Sequence, residues 1–226
     1  MENFVNSNAP ISNQVADYLI DWVKKNGLKP GDKIPPELEL VQILNTGRSS
    51  VREAIAILKS RNIVEVHRGC GTYLCTSPGQ VDDPLGLNFV QEGADLASDW
   101  GIVRLIIEPS IAELAAVKCT NEDAAELLEC WEVLSHSYDD NTKHYEADTK
   151  FHEILANATH NVVIKKLFPI IQEGIRQFLS ETSSLHTDET SRLHYEVMKA
   201  VITHDATKAR ETMQLLICTN QDLLGW

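Results

Sequence analysis

Asp148 and His152 are the first residues whose types and spacing indicate a chemical site. They are four residues apart, and side chains at this spacing leave the same face of an α-helix. Divalent metals accept such a pair, with imidazole favouring zinc, nickel, copper or iron. Three interpretations are open: ligands of a metal, polar contacts for an effector without a metal, and a buried hydrogen bond without a ligand. A zinc protease is excluded, because the last position of a His-Glu-x-x-His motif starting at His152 is Ala156.

A second group of polar residues opens a predicted helix near residue 50. Its members are Arg48, Ser49, Ser50 and Arg52. Arginine can bind guanine O6 and N7 in the major groove, while hydroxyl groups and helix N-terminal amides suit phosphate oxygens. Arg68 and Gly69 form the tip of a predicted hairpin, from which a cation can enter a narrow minor groove. The group predicts DNA contacts, and the competing interpretation is the solvated basic face of a small helical domain.

Three residues in the second half of the chain are candidates for binding a small molecule. A guanidinium inside a helical bundle needs an anionic partner, so Arg104 pairs either with a ligand or with Glu108, one helical turn on. Asn161 either lines a pocket or caps the helix predicted to begin at Val162. Arg176 is the third candidate, with a surface position as the alternative.

Three helices and a hairpin are predicted to position the DNA contacts. Apolar spacing places helices over about 11–23, 36–44 and 48–61, and β-rich runs predict strands at 63–66 and 71–74. Two short helices joined by a tight turn that contains glycine form the helix-turn-helix plan, to which the hairpin adds a wing. In the second helix we expect Leu38, Val41 and Leu44 to face inward.

The chain beyond residue 96 has the pattern of an all-helical domain. Apolar residues recur at three- and four-residue steps in six successive runs, and strand signals are nearly absent. An antiparallel helical bundle is the economical architecture. The predicted fold class is therefore mainly α, with a winged helix-turn-helix domain over residues 1–77, a linker over 78–90 and a helical domain over 91–226.

Charge is distributed unevenly between these segments. The 226 residues carry 20 Lys and Arg against 33 Asp and Glu, which gives a formal charge of -13. Residues 1–76 hold nine basic and eight acidic side chains, so the acidic excess lies beyond them. Local Lys and Arg govern phosphate contact, and an acidic second half disfavours indiscriminate DNA binding through repulsion. The net charge therefore does not exclude a DNA-binding protein.

Composition limits the class of protein and its compartment. With 43% hydrophobic and 23% charged residues, the chain is neither disordered nor collagen-like. Five widely spaced cysteines without a Cys-x-x-Cys pair exclude a zinc ribbon and favour a reducing, cytoplasmic setting. We expect no membrane partner, because no apolar run approaches the ~18 residues of a spanning helix and the first residues do not resemble a secretion signal.

Three stretches of the first 74 residues carry a family resemblance. They are Leu-Lys-Pro-Gly-Asp-Lys-Ile-Pro-Pro-Glu from residue 28, Arg-Ser-Ser-Val-Arg-Glu-Ala-Ile from residue 48, and Gly-Cys-Gly-Thr-Tyr-Leu from residue 69. They resemble the winged helix of GntR-family bacterial repressors. The resemblance implies DNA contacts from Arg48, Ser49, Ser50, Arg52, Arg68 and Gly69. Departures at Pro36, Leu38 and Gly47 remove side chains that the family uses for phosphate and base contacts.

The second half resembles the FCD (FadR C-terminal) ligand domain. The matching residues are Val-Arg-Leu-Ile-Ile-Glu-Pro from residue 103, Asp-Thr-Lys-Phe-His from residue 148, and then Asn161, His194, Asp205 and Ala209. This match is typical of the FadR subfamily. In relatives the arginine that matches Arg104 often reaches the ligand, so the resemblance implies a small carboxylate or sugar acid as the effector.

The FCD resemblance also implies a divalent metal, zinc or nickel. Metal-binding members use one aspartate and three histidines, of which Asp148, His152 and His194 match the first three. The fourth position, 22 residues after His194, is Leu216 in this chain. A metal would then be held by three protein ligands, with water or the effector completing the shell.

Together, these features predict a homodimeric, DNA-binding transcriptional regulator, expected to be a repressor that a small acidic metabolite releases from its operator. Paired recognition helices that contact two half-sites of a palindrome require a dimer. One alternative is a metal-dependent hydrolase or lyase that uses Asp148, His152 and His194. The other is a metabolite sensor that acts through protein partners.

Overall fold

The computed structural model describes residues 9–81, 83–90, 96–137, 140–180 and 187–223. The chain divides into two compact units, Met1–Phe89 and Val90–Trp226. Within the described ranges, both units are mainly helical and the first contains a small hairpin, which confirms the predicted fold class. No helix of this part of the chain is long and apolar enough to cross a membrane.

The described part of the first unit contains three α-helices, a two-stranded hairpin and a short 3₁₀ helix. In chain order these are α1 (Ile11–Lys25), α2 (Glu37–Leu44), α3 (Arg48–Ser60), β1 (Val64–His67), β2 (Gly71–Leu74) and the 3₁₀ helix (Leu87–Phe89). The strands are antiparallel, with Val64 opposite Leu74 and His67 opposite Gly71. Asn45 ends α2 in the left-handed conformation, at φ 45°, and so allows the tight turn into α3.

An apolar core joins α1, α2 and α3. Leu19, Leu40 and Leu58, one from each helix, are each 1% exposed, and burying a side chain of this size stabilises a fold by roughly 1.5–3 kcal/mol. The prediction that Leu38 faces this core is wrong, because Leu38 is 58% exposed. Leu40 and Leu44 are the buried residues of α2.

The described part of the second unit contains six helices. They are α4 (Leu96–Lys118), α5 (Asn121–Ser135), α6 (Asn141–Ala158), α7 (Val162–Ser180), α8 (Asp188–Ile202) and α9 (Ala206–Leu223). The central element is α4, which packs against α6, α7, α8 and α9, whereas α5 packs against α6 and α8. This packing brings side chains of α4, α6 and α8 to a common interior.

Side-chain caps determine where α5 and α6 begin. The Thr120 hydroxyl accepts the Asp123 amide at 3.2 Å, and the Asp123 carboxylate accepts the Thr120 amide at 2.9 Å, which is a capping box. The Asp140 side chain caps α6. Because α6 begins there, Asp148 and His152 lie about two and three turns into the helix.

Candidate functional site

Five polar side chains are buried together in the second unit. They are Arg104 and Glu108 of α4, Asp148 and His152 of α6, and His194 of α8. None is more than 9% exposed, and charged side chains are almost never buried to this extent unless they are paired. The fold thus brings four predicted site residues into one place and adds Glu108 to them. We call these five residues the buried cluster.

Phe151 supports both imidazoles of the buried cluster. Its ring contacts His152 and His194 edge to face, with centroids 5.7 and 5.2 Å apart. The two imidazoles are also edge to face, at 5.7 Å. Aromatic rings prefer this geometry, and Phe151 is fully buried, so its packing restricts how either imidazole can turn. Asp148, one turn before His152, then lies within 4.0 Å of an Nε2 atom of each ring.

His152 donates a hydrogen bond through Nδ1. This atom is 2.8 Å from Glu108 Oε2, and an ionised carboxylate can only accept. A neutral imidazole with its proton on Nδ1 has a lone pair on Nε2. Within the described part of the chain, this buried Nε2 has no hydrogen-bond partner, and its distance from Asp148 Oδ1 is 4.0 Å. In that tautomer, Nε2 of His152 is available to bind a cation or to accept from a hydroxyl group.

His194 also donates a hydrogen bond through Nδ1, but its acceptor is a backbone carbonyl oxygen. Its Nδ1 is 2.8 Å from the Thr190 carbonyl oxygen, which can only accept, so Nδ1 bears the proton. Its Nε2 is 2.9 Å from Asp148 Oδ1, but the described residues give it no partner with hydrogen-bond geometry. With Nδ1 donating to the Thr190 carbonyl, Nε2 is the ring atom of His194 that could bind a cation together with Asp148 Oδ1.

The carboxylates of the buried cluster stay ionised. Burial alone would raise the pKa of Glu108, but Arg104 and His152 outweigh it and lower that pKa to about 2. Burial likewise opposes ionisation of Asp148, and His194, His152 and Arg104 hold its pKa well below the usual value. Both carboxylates are therefore charged acceptors, Glu108 for Arg104 and His152, and Asp148 for the two imidazoles or for a cation.

Arg104 forms the ion pair with Glu108 that the sequence offered as the alternative to a ligand contact. Its Nε donates to Glu108 Oε1 at 2.7 Å, and Nη2 is 3.4 Å from Oε2. Burial would lower the pKa of Arg104, but the Glu108 carboxylate outweighs it and raises that pKa. Because only the Nε contact is short, the pair leaves guanidinium donors for a second acceptor.

The three candidate metal ligands form a set that could hold an ion. One ligand atom from each of Asp148, His152 and His194 lies within 4.8 Å of the others. Zinc bonds of about 2.0–2.2 Å to nitrogen and oxygen span such a set after small side-chain movements. The two Nε2 atoms without partners fit this function, because metal-bound histidines donate their other ring nitrogen to a carboxylate or carbonyl. Here Glu108 and the Thr190 carbonyl are those acceptors.

The position that the family resemblance predicts for a fourth ligand is Leu216 of α9, whose side chain has no ligand atom. Leu216 is fully buried. One turn earlier, the hydroxyl of Thr212 is buried and has no hydrogen-bond partner among the described residues. Thr212 was not among the predicted site residues, although its spacing of four residues from Leu216 places both on one helix face.

The other two effector candidates are Asn161 and Arg176. Asn161 is exposed, and its Oδ1 accepts the amides of Val163 and Ile164 at 2.9 and 3.2 Å. It therefore caps α7, which was the alternative to a pocket position. Arg176 belongs to α7, but its side chain lies outside the described residues.

The candidate DNA contacts lie on exposed parts of the first unit. Arg48 and Arg52 are exposed in the first two turns of α3, and Arg52 Nε is 3.6 Å from Glu37 of α2. Arg68 and Gly69 are exposed at the turn between β1 and β2. Gly69 has φ +76°, a conformation that other residues adopt only with strain.

Comparison with known proteins connects this geometry to a family. Residues 102–217 match the model of the FCD domain, and residues 11–74 match the model of bacterial regulatory proteins of the gntR family. The solved structure of Streptococcus agalactiae GntR is 32% identical, with a TM-score of 0.84, and the match covers 92% of this chain and 97% of that one. The chain belongs to the GntR family.

Curated relatives of this GntR-family chain are named as regulators. The Uxu operon transcriptional regulator of Escherichia coli K12 is 28% identical over 218 residues, covering 88% of this chain and 81% of the relative. The transcriptional repressor NanR of Enterobacter sp. strain 638 is 26% identical over 218 residues, covering 90% and 81%. These relatives confirm the prediction of a DNA-binding transcriptional regulator over the hydrolase or lyase alternative.

Proposed function

We propose that this GntR-family regulator is a homodimeric repressor of the FadR subfamily. A small carboxylate or sugar acid bound at the buried cluster controls its affinity for operator DNA. The match to the FCD model supports the subfamily, and relatives named as an operon regulator and a repressor support the sign of regulation. The protein acts in the cytoplasm, where bacterial operator DNA lies.

One observation carries the effector site: the Nε2 atoms of His152 and His194 lie 4.0 and 2.9 Å from Asp148 Oδ1, in the same buried cluster as the Arg104 guanidinium. Arg104 supplies donors for a carboxylate, which would share the guanidinium with Glu108. The Nε2 atoms of His152 and His194 accept hydroxyl donors directly, or bind them through a metal. Acidic and hydroxylated small molecules match this set of donors and acceptors, which is why sugar acids fit.

A zinc or nickel ion would be held by Asp148, His152 and His194. When bound, it supplies a Lewis-acid centre with positions left for oxygen atoms of water or effector. Its charge would add to that of Arg104, and the two cations together would attract an organic acid. Leu216 leaves the α9 side without a protein ligand, so the effector completes the shell more readily than in a site with four protein ligands.

We assign operator contacts to six residues of the winged helix. They are Arg48, Ser49, Ser50, Arg52, Arg68 and Gly69. Arg48 and Arg52 are one helical turn apart on the exposed side of α3, so both can enter one major groove. A homodimer presents two such helices, and the operator is then a palindrome with half-sites about one DNA turn apart or a multiple of it.

The functions are divided along the chain. Residues 1–77 contact DNA, 78–90 link the domains, and 91–226 bind the effector and dimerise. Release from DNA is a population shift, in which the effector binds the arrangement that does not fit the operator more tightly than the one that does.

The experiment combines operator selection with effector screening. The protein selects its operator from a random DNA pool, and a thermal-shift screen of carboxylates and sugar acids identifies stabilising ligands, since a ligand that binds the native state raises its melting temperature. A stabilising ligand that weakens operator binding in wild type and loses its thermal shift in Arg104→Met supports the proposal. Equal thermal shifts in wild type and Arg104→Met would remove Arg104 from the effector site.

A further inference from the structure

Glu108 contacts both Arg104 and His152 inside the buried cluster. Its Oε1 accepts Arg104 Nε at 2.7 Å, whereas Oε2 accepts His152 Nδ1 at 2.8 Å and has only a longer contact, 3.4 Å, with Arg104 Nη2. All three side chains are at most 3% exposed, so water does not compete for these contacts. One buried carboxylate thus joins the guanidinium to an imidazole on another helix.

We propose that Glu108 is the positioning residue of the effector site. Because Arg104 keeps Glu108 as a hydrogen-bond acceptor, Glu108 fixes the tautomer of His152. The inference rests on the proposed site at Asp148, His152 and His194. The function of Glu108 is to keep the proton on Nδ1 of His152, so that Nε2 remains a lone-pair donor to a cation or to a hydroxyl group.

Only a group with two acceptor atoms can satisfy this position. The guanidinium of Arg104 has donors and no acceptor, and a carboxylate can accept from it and from the imidazole at once. An amide of the same shape has one acceptor oxygen and one NH₂ donor. In Glu108→Gln we expect the amide oxygen to take the position of Oε1, which faces Arg104 Nε at the shorter of the two guanidinium contacts, because an NH₂ group there would oppose a buried cation. The NH₂ group then faces His152.

This substitution is therefore expected to invert the imidazole. Facing an NH₂ donor, His152 Nδ1 must accept, and the ring proton moves to Nε2. The lone pair on Nε2 is lost. Loss of a carboxylate behind a ligating histidine typically weakens metal affinity by about 10–100-fold. For Glu108→Gln we expect the affinity to fall by an amount near the upper value, about 100-fold.

A second substitution separates this effect from general damage. In the double variant Arg104→Gln, Glu108→Gln, the amide introduced at 104 has an acceptor oxygen of its own. The amide at 108 can then rotate, donate to that oxygen and accept from His152 Nδ1. The double variant should regain the wild-type tautomer and most of the metal affinity. A merely structural function for Glu108 predicts the opposite, since two substitutions would then be worse than one.

The test uses the full-length protein without added effector. Imidazole ¹⁵N spectra of labelled protein identify the tautomer of His152, and titration with Co²⁺, followed by its visible absorption, gives the metal affinity. Far-UV circular dichroism establishes that each variant is folded. Glu113→Gln is the matched control, because Glu113 is on the same helix but pairs at the surface with Arg210, and it should behave as wild type.

The outcomes distinguish the inference from the function on which it rests. An Nε2–H tautomer and weakened Co²⁺ binding in Glu108→Gln, both reversed in the double variant, support the positioning function. Wild-type binding with an unchanged tautomer in Glu108→Gln overturns the inference alone. A wild type that binds no Co²⁺ and has an Nε2–H tautomer overturns both the inference and the metal site. If Glu108→Gln does not fold, the double variant decides, and an Nε2–H tautomer in it contradicts the inference.

Discussion

Removal of the Arg104 guanidinium should destabilise the second unit strongly, and Arg104→Met is the substitution that shows it. Methionine keeps an unbranched apolar chain of similar length but leaves the carboxylate of Glu108 buried without its cation. Breaking a buried ion pair from one side typically costs about 3–5 kcal/mol, because the remaining charge is uncompensated. The cost therefore reports how much Arg104 stabilises Glu108.

The pKa of Glu108 gives an independent magnitude. It falls from an ordinary value of 4.5 to about 2 in the folded protein, and at about 1.4 kcal/mol per pKa unit this corresponds to about 3 kcal/mol. Since the pKa is lowered by folding, this stabilisation is fully present above pH 4.5 and is lost as the pH falls through about 2. Arg104 and His152 share this effect, so it supports the order of magnitude of the loss, about 3 kcal/mol at pH 7, without dividing it between the two partners.

Urea unfolding followed by circular dichroism measures this loss. In Arg104→Met, burial dominates and raises the pKa of Glu108, so Glu108 is protonated at a higher pH than in the wild type. Protonation removes the unpaired buried charge, and the loss in free energy of unfolding should therefore be smaller at pH 4.5 than at pH 7. The matched control is Arg210→Met, which removes a pair with Glu113 whose side chains are 47% and 44% exposed. Such pairs contribute about 0–1 kcal/mol. An Arg104→Met deficit as small as that of the control, or independent of pH, would refute the reasoning.

Three further predictions address the DNA surface, the metal ligands and a helix cap. Arg48→Ala should weaken operator binding by about 1–3 kcal/mol in a gel-shift titration, whereas Lys24→Ala on α1 should not, and equal affinities would remove Arg48 from the interface. His152→Ala should abolish stoichiometric zinc or nickel in elemental analysis of protein purified without chelator, with the exposed His136→Ala as control, and an unchanged metal content would contradict the assigned ligands. Thr120→Ala should lower the free energy of unfolding by about 1 kcal/mol, because it removes the capping box of α5, and no change in urea unfolding would show that the cap is not used.

The helices and the positions of the candidate DNA contacts on α3 and the hairpin could be predicted from the sequence because their causes are local. Apolar spacing, the Thr120 cap and the turn before Arg48 all act within a few residues. The error at Leu38 has a local cause too. With apolar residues at 38, 40, 41, 43 and 44, α2 has more than one apolar side in only eight residues, and periodicity alone cannot choose between them.

The buried cluster was only partly predictable. The spacing of Asp148 and His152 places them on one helix face, and the spacing of Arg104 and Glu108 offers their ion pair as the alternative to a ligand contact. The contact between Glu108 and His152 depends on the packing of α4 against α6, which no local pattern encodes. Tautomers are likewise set by partners on other turns and helices.

The most direct test of the central claim is a gel-shift titration of the selected operator with and without a stabilising acid from the thermal-shift screen. The account predicts that at least one small carboxylate or sugar acid weakens operator binding of the wild type by tenfold or more, about 1.4 kcal/mol, and that the effect is lost in His152→Ala. Operator affinity that no stabilising acid changes, or an equal change in wild type and His152→Ala, would contradict control from the buried cluster.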